Sequence, residues 1–245
     1  MIPNAWHFQL RVGFRVYGGM VRFRGRVAHT LMRRYTLMKE QNRMSEIKTI
    51  EQLKGIYAEP SARAKNKVLP ALDAHAITLI NNCHFAVLST TDSQGYVDLS
   101  PKGGEPGFIK VLDESTVLLP DSSGNNRIDG LKNIISNPKV GLLLMVNGID
   151  EVVRIKGTAS IRTDSNLLSV CPDGSKSPKV VIKIVIESMY FHCAKAVMRG
   201  KLWSDDYKVN RSILPSLAQI FKDQQNLESN AISQDEMVKY YESSL

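Results

Sequence analysis

Between residues 83 and 192 the chain repeats one pattern: five to eleven residues rich in Val, Ile, Leu, Phe and Thr, then a cluster of Gly, Pro, Asn, Asp or Ser. Such runs fall at 83–91, 96–100, 108–112, 115–119, 140–147, 151–161 and 180–187. Apolar stretches too short for helices and bounded by turn residues read as strands. Asp92-Ser93-Gln94-Gly95 supplies a hairpin turn with a glycine for positive φ, and Gly148 does the same between the fifth and sixth runs. Many strands with one short helical interval, 127–135, predict an antiparallel barrel with added helices and not a doubly wound sheet.

Helical signals gather outside that region. Ser45 is placed to cap a helix reaching about Tyr57, and Glu59-Pro60 ends it because the residue before a proline leaves the α region. A second helix is expected from Pro70, with Leu72, His75, Ala76, Leu79 and Ile80 on one face. Residues 194–203, 214–225 and 234–241 also read as helical. The expected division is a basic leader at 1–43, disordered or upstream of the true start, a helical extension at 44–82, a barrel at 83–204 and a C-terminal helical extension at 205–245.

The formal charge of +8 must be located before it implies a partner. Residues 1–43 hold nine of the 32 basic residues and one of the 24 acidic ones, so 23 of each remain in the body. A neutral body lacks the footprint of a nucleic-acid binder. Within the leader, Trp6, Phe8, Leu10, Val12, Phe14 and Val16 alternate with polar or small residues, a strand pattern with no obvious partner. A targeting presequence or a basic arm for lipid or RNA are the functional readings of that segment. The plainer reading places the start at Met44.

No apolar run approaches the roughly 18 residues that a membrane span requires, so membrane insertion is not expected. Cys83, Cys171 and Cys193 are widely spaced and odd in number, which fits reduced packing thiols in a cytoplasmic protein. The five histidines show no metal-ligand spacing, and no nucleophile elbow or phosphate-binding P-loop occurs.

Three stretches carry a resemblance: Phe85 to Val146, including SPKGG, LLPDSSGNNR and NP; VRIKGTA at 153–159; and FHCAKAVMRGKLW at 191–203. Their order and spacing resemble flavoproteins of the pyridoxamine 5'-phosphate oxidase-like superfamily. The resemblance implies a six-stranded antiparallel split barrel, α+β in class, that forms a homodimer with FMN at the subunit interface. It places Asn125, Asn126 and Arg127 at the cofactor phosphate. Ser100 and Lys102 become a further contact, and Leu119, Pro120 and Asp121 lie beside the ring. His192, Lys195, Arg199 and Trp203 are implied to reach the partner's flavin.

The residues themselves support an anion near Arg127, because a cation at a helix start is disfavoured by the helix dipole unless something negative sits there. The activity implied is FMN-dependent oxidoreduction of a small molecule, with no dedicated catalytic side chain assigned. The alternatives are a non-catalytic flavin-binding protein or a relative that takes haem or deazaflavin. After Trp203 the chain has Lys208, Arg211 and Lys222, in no arrangement matching the Arg and His that grip substrate phosphate in the oxidase proper.

Overall fold

A computed structural model describes residues 46–122, 124–172, 177–228 and 230–243. The leader and Ser45 lie outside them. The described chain forms two compact units, one ending at Ser61 and the other beginning at Ala62. In the first, α1 (Ile50–Lys54) starts at Thr49, whose hydroxyl accepts from the Gln52 amide while the Gln52 side chain returns to the Thr49 amide. This reciprocal cap places the helix start four residues beyond Ser45.

The second unit is built on one seven-stranded antiparallel sheet: β1 (Phe85–Thr91), β2 (Val97–Gly103), β3 (Lys110–Asp113), β4 (Thr116–Asp121), β5 (Lys139–Met145), β6 (Val152–Arg162) and β7 (Val180–His192). The order is β2-β1-β5-β6-β7-β4-β3. All seven apolar runs are strands, one more than the six implied by the resemblance. Period-two alternation explains the agreement: Ala86, Leu88 and Thr90 of β1 and Val140, Leu142 and Leu144 of β5 are buried while their neighbours are less so.

Two strands outrun their sequence signal. β4 continues through Pro120 and Asp121, which were expected to be irregular. β3 begins opposite Leu118, so past that point β4 is an edge on the β3 side, where a proline costs no ladder bond there. β7 continues five residues past Glu187. Its core positions are Ile182, Ile184 and Ile186, then Met189 and Phe191, a change from even to odd numbers. The register against β6 shifts between Lys156 and Gly157, which pair with Ser188 and Ile186 and leave Glu187 as the extra residue of a bulge. The bulge returns the far half of β7 to the core face.

Helices cover the sheet locally. After α2 (Ala62–Asn66), Leu69 exchanges both backbone hydrogen bonds with Met189, at 2.9 and 2.8 Å. Next comes α3 (Ala74–Asn81), capped by Asp73 and burying Ala76, Leu79 and Ile80. It starts later than Pro70, leaves Leu72 outside though buried, and exposes His75. Then follow α4 (Asp129–Ser136), α5 (Ser165–Ser169) and α6 (Lys195–Arg199). After two single 3-10 turns, α7 (Leu217–Gln225) and α8 (Gln234–Glu242) complete the described chain. Among the described residues no helix is long and apolar enough to cross a membrane.

The sheet is strongly curled. Lys102 on β2 forms an ion pair with Asp121 on β4, although four strands lie between them in the sheet order. Leu88, Leu119, Leu142, Ile155 and Ile184 share one core inside that curl.

Candidate functional site

At the mouth of the curl is a cleft of about 740 Å³, within the range of small-molecule sites. Strand register explains why polar groups arrive there. Ala86 and Leu88 pair with Lys102 and Ser100 across β1 and β2, and directly opposed residues share a face, so Ser100 and Lys102 continue the inner face while Leu99 is exposed on the other. On β4 the inner positions Val117 and Leu119 lead by the same alternation to Asp121. The inner surface thus turns from apolar to polar at its rim.

The opposite wall is the 124–128 loop and the first turn of α4. The Asn125 side-chain carbonyl accepts from the Arg127 amide at 3.0 Å. Asn126 and Ile128, on either side of Arg127, both have left-handed backbone, φ 58° and 49°, and a β-branched residue adopts that conformation only when its surroundings impose it. Ile128 is the N-cap of α4 and supplies no side-chain cap, so the first-turn amides at Asp129, Gly130 and Leu131 have no side-chain acceptor among the described residues. Helix α4 is pinned by Asn133, buried in its middle, which donates to Thr90 Oγ1 at 3.1 Å and to Asp98 Oδ2 at 2.6 Å.

Arg127 and Lys102 each come with a carboxylate. Arg127 donates to Asp129 at 2.8 Å, and Lys132 adds a 3.5 Å contact to the same carboxylate. The hydrogen bond from Arg127 holds the Asp129 carboxyl below the usual carboxylate range, helped by the charge of Lys132. Arg127 is mostly in solvent, its side chain 76% exposed. Lys102 and Asp121 are only 21% and 20% exposed. Beside them, the buried Ser122 hydroxyl has no hydrogen-bond partner among the described residues.

Of the residues singled out in the sequence, Ser100, Lys102, Pro120, Asp121, Asn125, Asn126 and Arg127 line this one cleft. Leu119 is wholly buried beneath it. Arg127 was expected as the first residue of a helix and instead precedes α4 by two residues. His192, Lys195, Arg199 and Trp203 do not line the cleft. Val180 lines it, and His192 ends the same strand twelve residues later, at the far end of β7. There the Nδ1 atom of His192 is buried without a partner among the described residues, and Trp203 donates its indole N–H to Ile149 O at 3.0 Å. Lys195 and Arg199 are exposed on α6.

Sequence reasoning missed Ser122, Asp129, Gly130 and Lys179, which also line the cleft. A usable signal existed for Gly130 and Asn133: together with Ile134 they occupy the i, i+3, i+4 positions of a helix face turned to the sheet. Lys179 arrives only through tertiary pairing, its amide donating to Asp121 O at 3.1 Å.

A family model described as pyridoxamine 5'-phosphate oxidase matches residues 72–193. No curated protein matches the sequence. Among solved structures, HupZ of Group A Streptococcus is 24% identical, with 49% of this chain and 93% of that one covered and a TM-score of 0.40. General stress protein 26 of Bacillus anthracis is 21% identical over 46% and 88%, with a TM-score of 0.37. A conserved hypothetical protein of Mycobacterium tuberculosis is 17% identical over 61% and 98%, with a TM-score of 0.39.

Proposed function

Residues 72–193 belong to the pyridoxamine 5'-phosphate oxidase-like family, and from that membership we propose that the cleft binds FMN and that the protein is an FMN-dependent oxidoreductase of a small molecule. The observation that carries the reading is the convergence of Arg127, the Asn125–Asn126 loop and the uncapped start of α4 on one wall of a ligand-sized cleft.

The donor set fits the cofactor. A phosphate with nearly two negative charges is matched by a guanidinium, by first-turn amides and by the concave backbone that left-handed residues create on either side of Arg127. Strained backbone of this kind concentrates at ligand sites. The Arg127–Asp129 pair is no obstacle, because an ion pair this exposed is weakened by solvent screening and exchanges readily for a stronger anion. Ser100, Ser122 and the end of β4 offer hydrogen bonds to the remainder of the ligand.

When bound, FMN supplies hydride or electron transfer. The chain's own part is to fix the phosphate at Arg127, to hold the ring against the end of β4 and to keep water from the inner face, where Leu88 and Ile182 border the cleft. In this reading β2, β1, β5, β6, β7 and β4 are the six strands of a split barrel, closed by the Lys102–Asp121 pair, with β3 outside it. A homodimer would bring His192, Lys195, Arg199 and Trp203 of one copy toward the cleft of the other.

The test is the absorption spectrum of the pure protein, with mass analysis of the small molecule released on denaturation and the sedimentation mass of the assembly. A flavin spectrum, FMN in the released fraction and a dimer are expected. Arg127→Ala removes a charge-assisted hydrogen bond of about 1.5–3 kcal/mol, so FMN affinity should fall by about one to two orders of magnitude. A colourless monomer indifferent to added FMN overturns the proposal. Reduction of the flavin by NAD(P)H or a candidate substrate, followed by reoxidation, separates an enzyme from a flavin-binding protein.

A further inference from the structure

The two charged groups of the cleft differ in a way that dictates which end of a ligand goes where. At one end Arg127 is exposed and shares Asp129 with Lys132, whose Nζ also donates to the Arg127 carbonyl at 3.1 Å. Two cations against one carboxylate leave that end positive, and the uncapped turn of α4 adds to it. At the other end Lys102 is joined to Asp121 alone, with both side chains about four-fifths removed from solvent. That pair is neutral as a unit. A phosphate brought against it meets the Asp121 carboxylate as closely as it meets the Lys102 ammonium, and it loses its own hydration without net attraction in return. Lys179 adds a cation there only at the rim, where its side chain is exposed and forms no ion pair among the described residues.

From this arrangement we infer that Asp121 is a specificity-determining residue: by holding Lys102 in a closed pair, it confines an anionic group to the Arg127 end and reserves the other end for an uncharged, hydrogen-bonding group. The Ser122 hydroxyl completes that second subsite. It is buried beside Asp121 with no partner among the described residues, and a hydroxyl that both donates and accepts is matched by an amide-like or imide-like edge. The ligand class that follows carries one terminal phosphate or carboxylate and a neutral polar head, and molecules with anions at both ends are rejected. The inference rests on the cleft being the ligand site of the proposed function, and does not require the ligand to be FMN.

Inorganic phosphate is the probe. It would be titrated calorimetrically into the full chain after removal of bound small molecules by dialysis, with thermal melting to verify each variant's fold. Wild type should bind one phosphate per chain, and Arg127→Ala should abolish that binding. Asp121→Asn keeps the shape and frees Lys102, so it should take up a second phosphate or bind the first about tenfold more tightly through the added charge-assisted bond. Lys102→Met combined with Asp121→Leu removes both charges together and should bind phosphate within about twofold of wild type, well under the tenfold that one lost contact represents. Loss of phosphate by the double variant would make Lys102 a phosphate ligand and overturn the inference. An unchanged Asp121→Asn isotherm, or two phosphates on wild type, would also overturn it. Where Asp121→Asn does not fold, the double variant decides alone. A protein that shows this phosphate pattern yet ignores FMN would sink the cofactor reading while leaving the role of Asp121 standing.

Discussion

The three thiols show how placement sets reactivity one residue at a time. Cys83 is fully buried, its Sγ directed at Phe85 O and Met145 O at 3.1 and 3.4 Å, and burial pushes its pKa above the ordinary thiol value despite those contacts. Cys171 is likewise buried and raised by desolvation, with Lys110 opposing the shift, while Cys193 is exposed at the end of β7. A raised pKa keeps a thiol protonated, and the thiolate is the nucleophile. A chromogenic disulfide reagent at mildly alkaline pH should therefore modify one thiol quickly in the native protein and all three after denaturation. Rapid native modification of two or more would contradict the packing described. The sequence cast all three as packing residues; Cys83 and Cys171 are buried, whereas Cys193 is exposed because it follows the last residue of β7, and burial itself is a property of the assembled sheet.

Single positions decide the shape of whole elements at the β6–β7 bulge and at α4. A Cβ on Gly157 would lie 2.3 Å from the Val185 carbonyl oxygen and 2.9 Å from Ile184 Cγ2. Backbone cannot yield as a flexible side chain does, so Gly157→Ala should destabilise the protein by about 3 kcal/mol, read as a lower urea midpoint. A midpoint unchanged from wild type would mean that β7 and β6 are less closely apposed than described. For α4 the decisive residue is Asn133. Replacing it by Ala strands the buried Thr90 hydroxyl and frees the exposed Asp98, and should cost about 1–3 kcal/mol, with weaker ligand binding because the first turn of α4 forms one wall of the cleft. If Asn133→Ala lowers stability yet leaves ligand affinity intact, α4 is held in place by its other contacts. These two elements also mark where sequence reading stopped. Strand runs with clean alternation, such as Phe85–Thr91, were legible because period two is local. The extra residue Glu187 reversed the alternation, so β7 looked finished five residues early. Seven of the twelve proposed site residues line one cleft because motif spacing preserves loop and strand-end positions. The partner carboxylates of Lys102 and Arg127 were not legible as pairs, since Asp121 meets Lys102 only through the curl of the sheet.

For the molecule as a whole, the question is which part of the chain carries the cooperative core. Every buried residue of the main cluster lies between Leu72 and Met189, with Phe191 packed against it, and this interval coincides with the family match at 72–193. After Trp203, by contrast, the described residues bury only Met237, and Ile213, Leu214, Phe221 and Tyr240 remain exposed. Helices α7 and α8 meet each other, and Arg211 ties their connection by donating to Leu214 O at 2.7 Å and to Gln234 Oε1 at 2.7 Å. A helical pair with so little buried apolar area adds little to the stability of the sheet, because burial of apolar surface is the main favourable contribution to folding. Ending the chain after Ser204 should therefore leave the melting temperature of the sheet unit within about 4 °C of the full chain, the shift that roughly 1 kcal/mol produces in a domain of this size. A drop well beyond that, or a truncated chain that unfolds, would show that α7 and α8 are part of the stabilising core. An unchanged melting temperature with fewer chains per assembly by sedimentation would instead locate their apolar residues at a contact between copies of the chain.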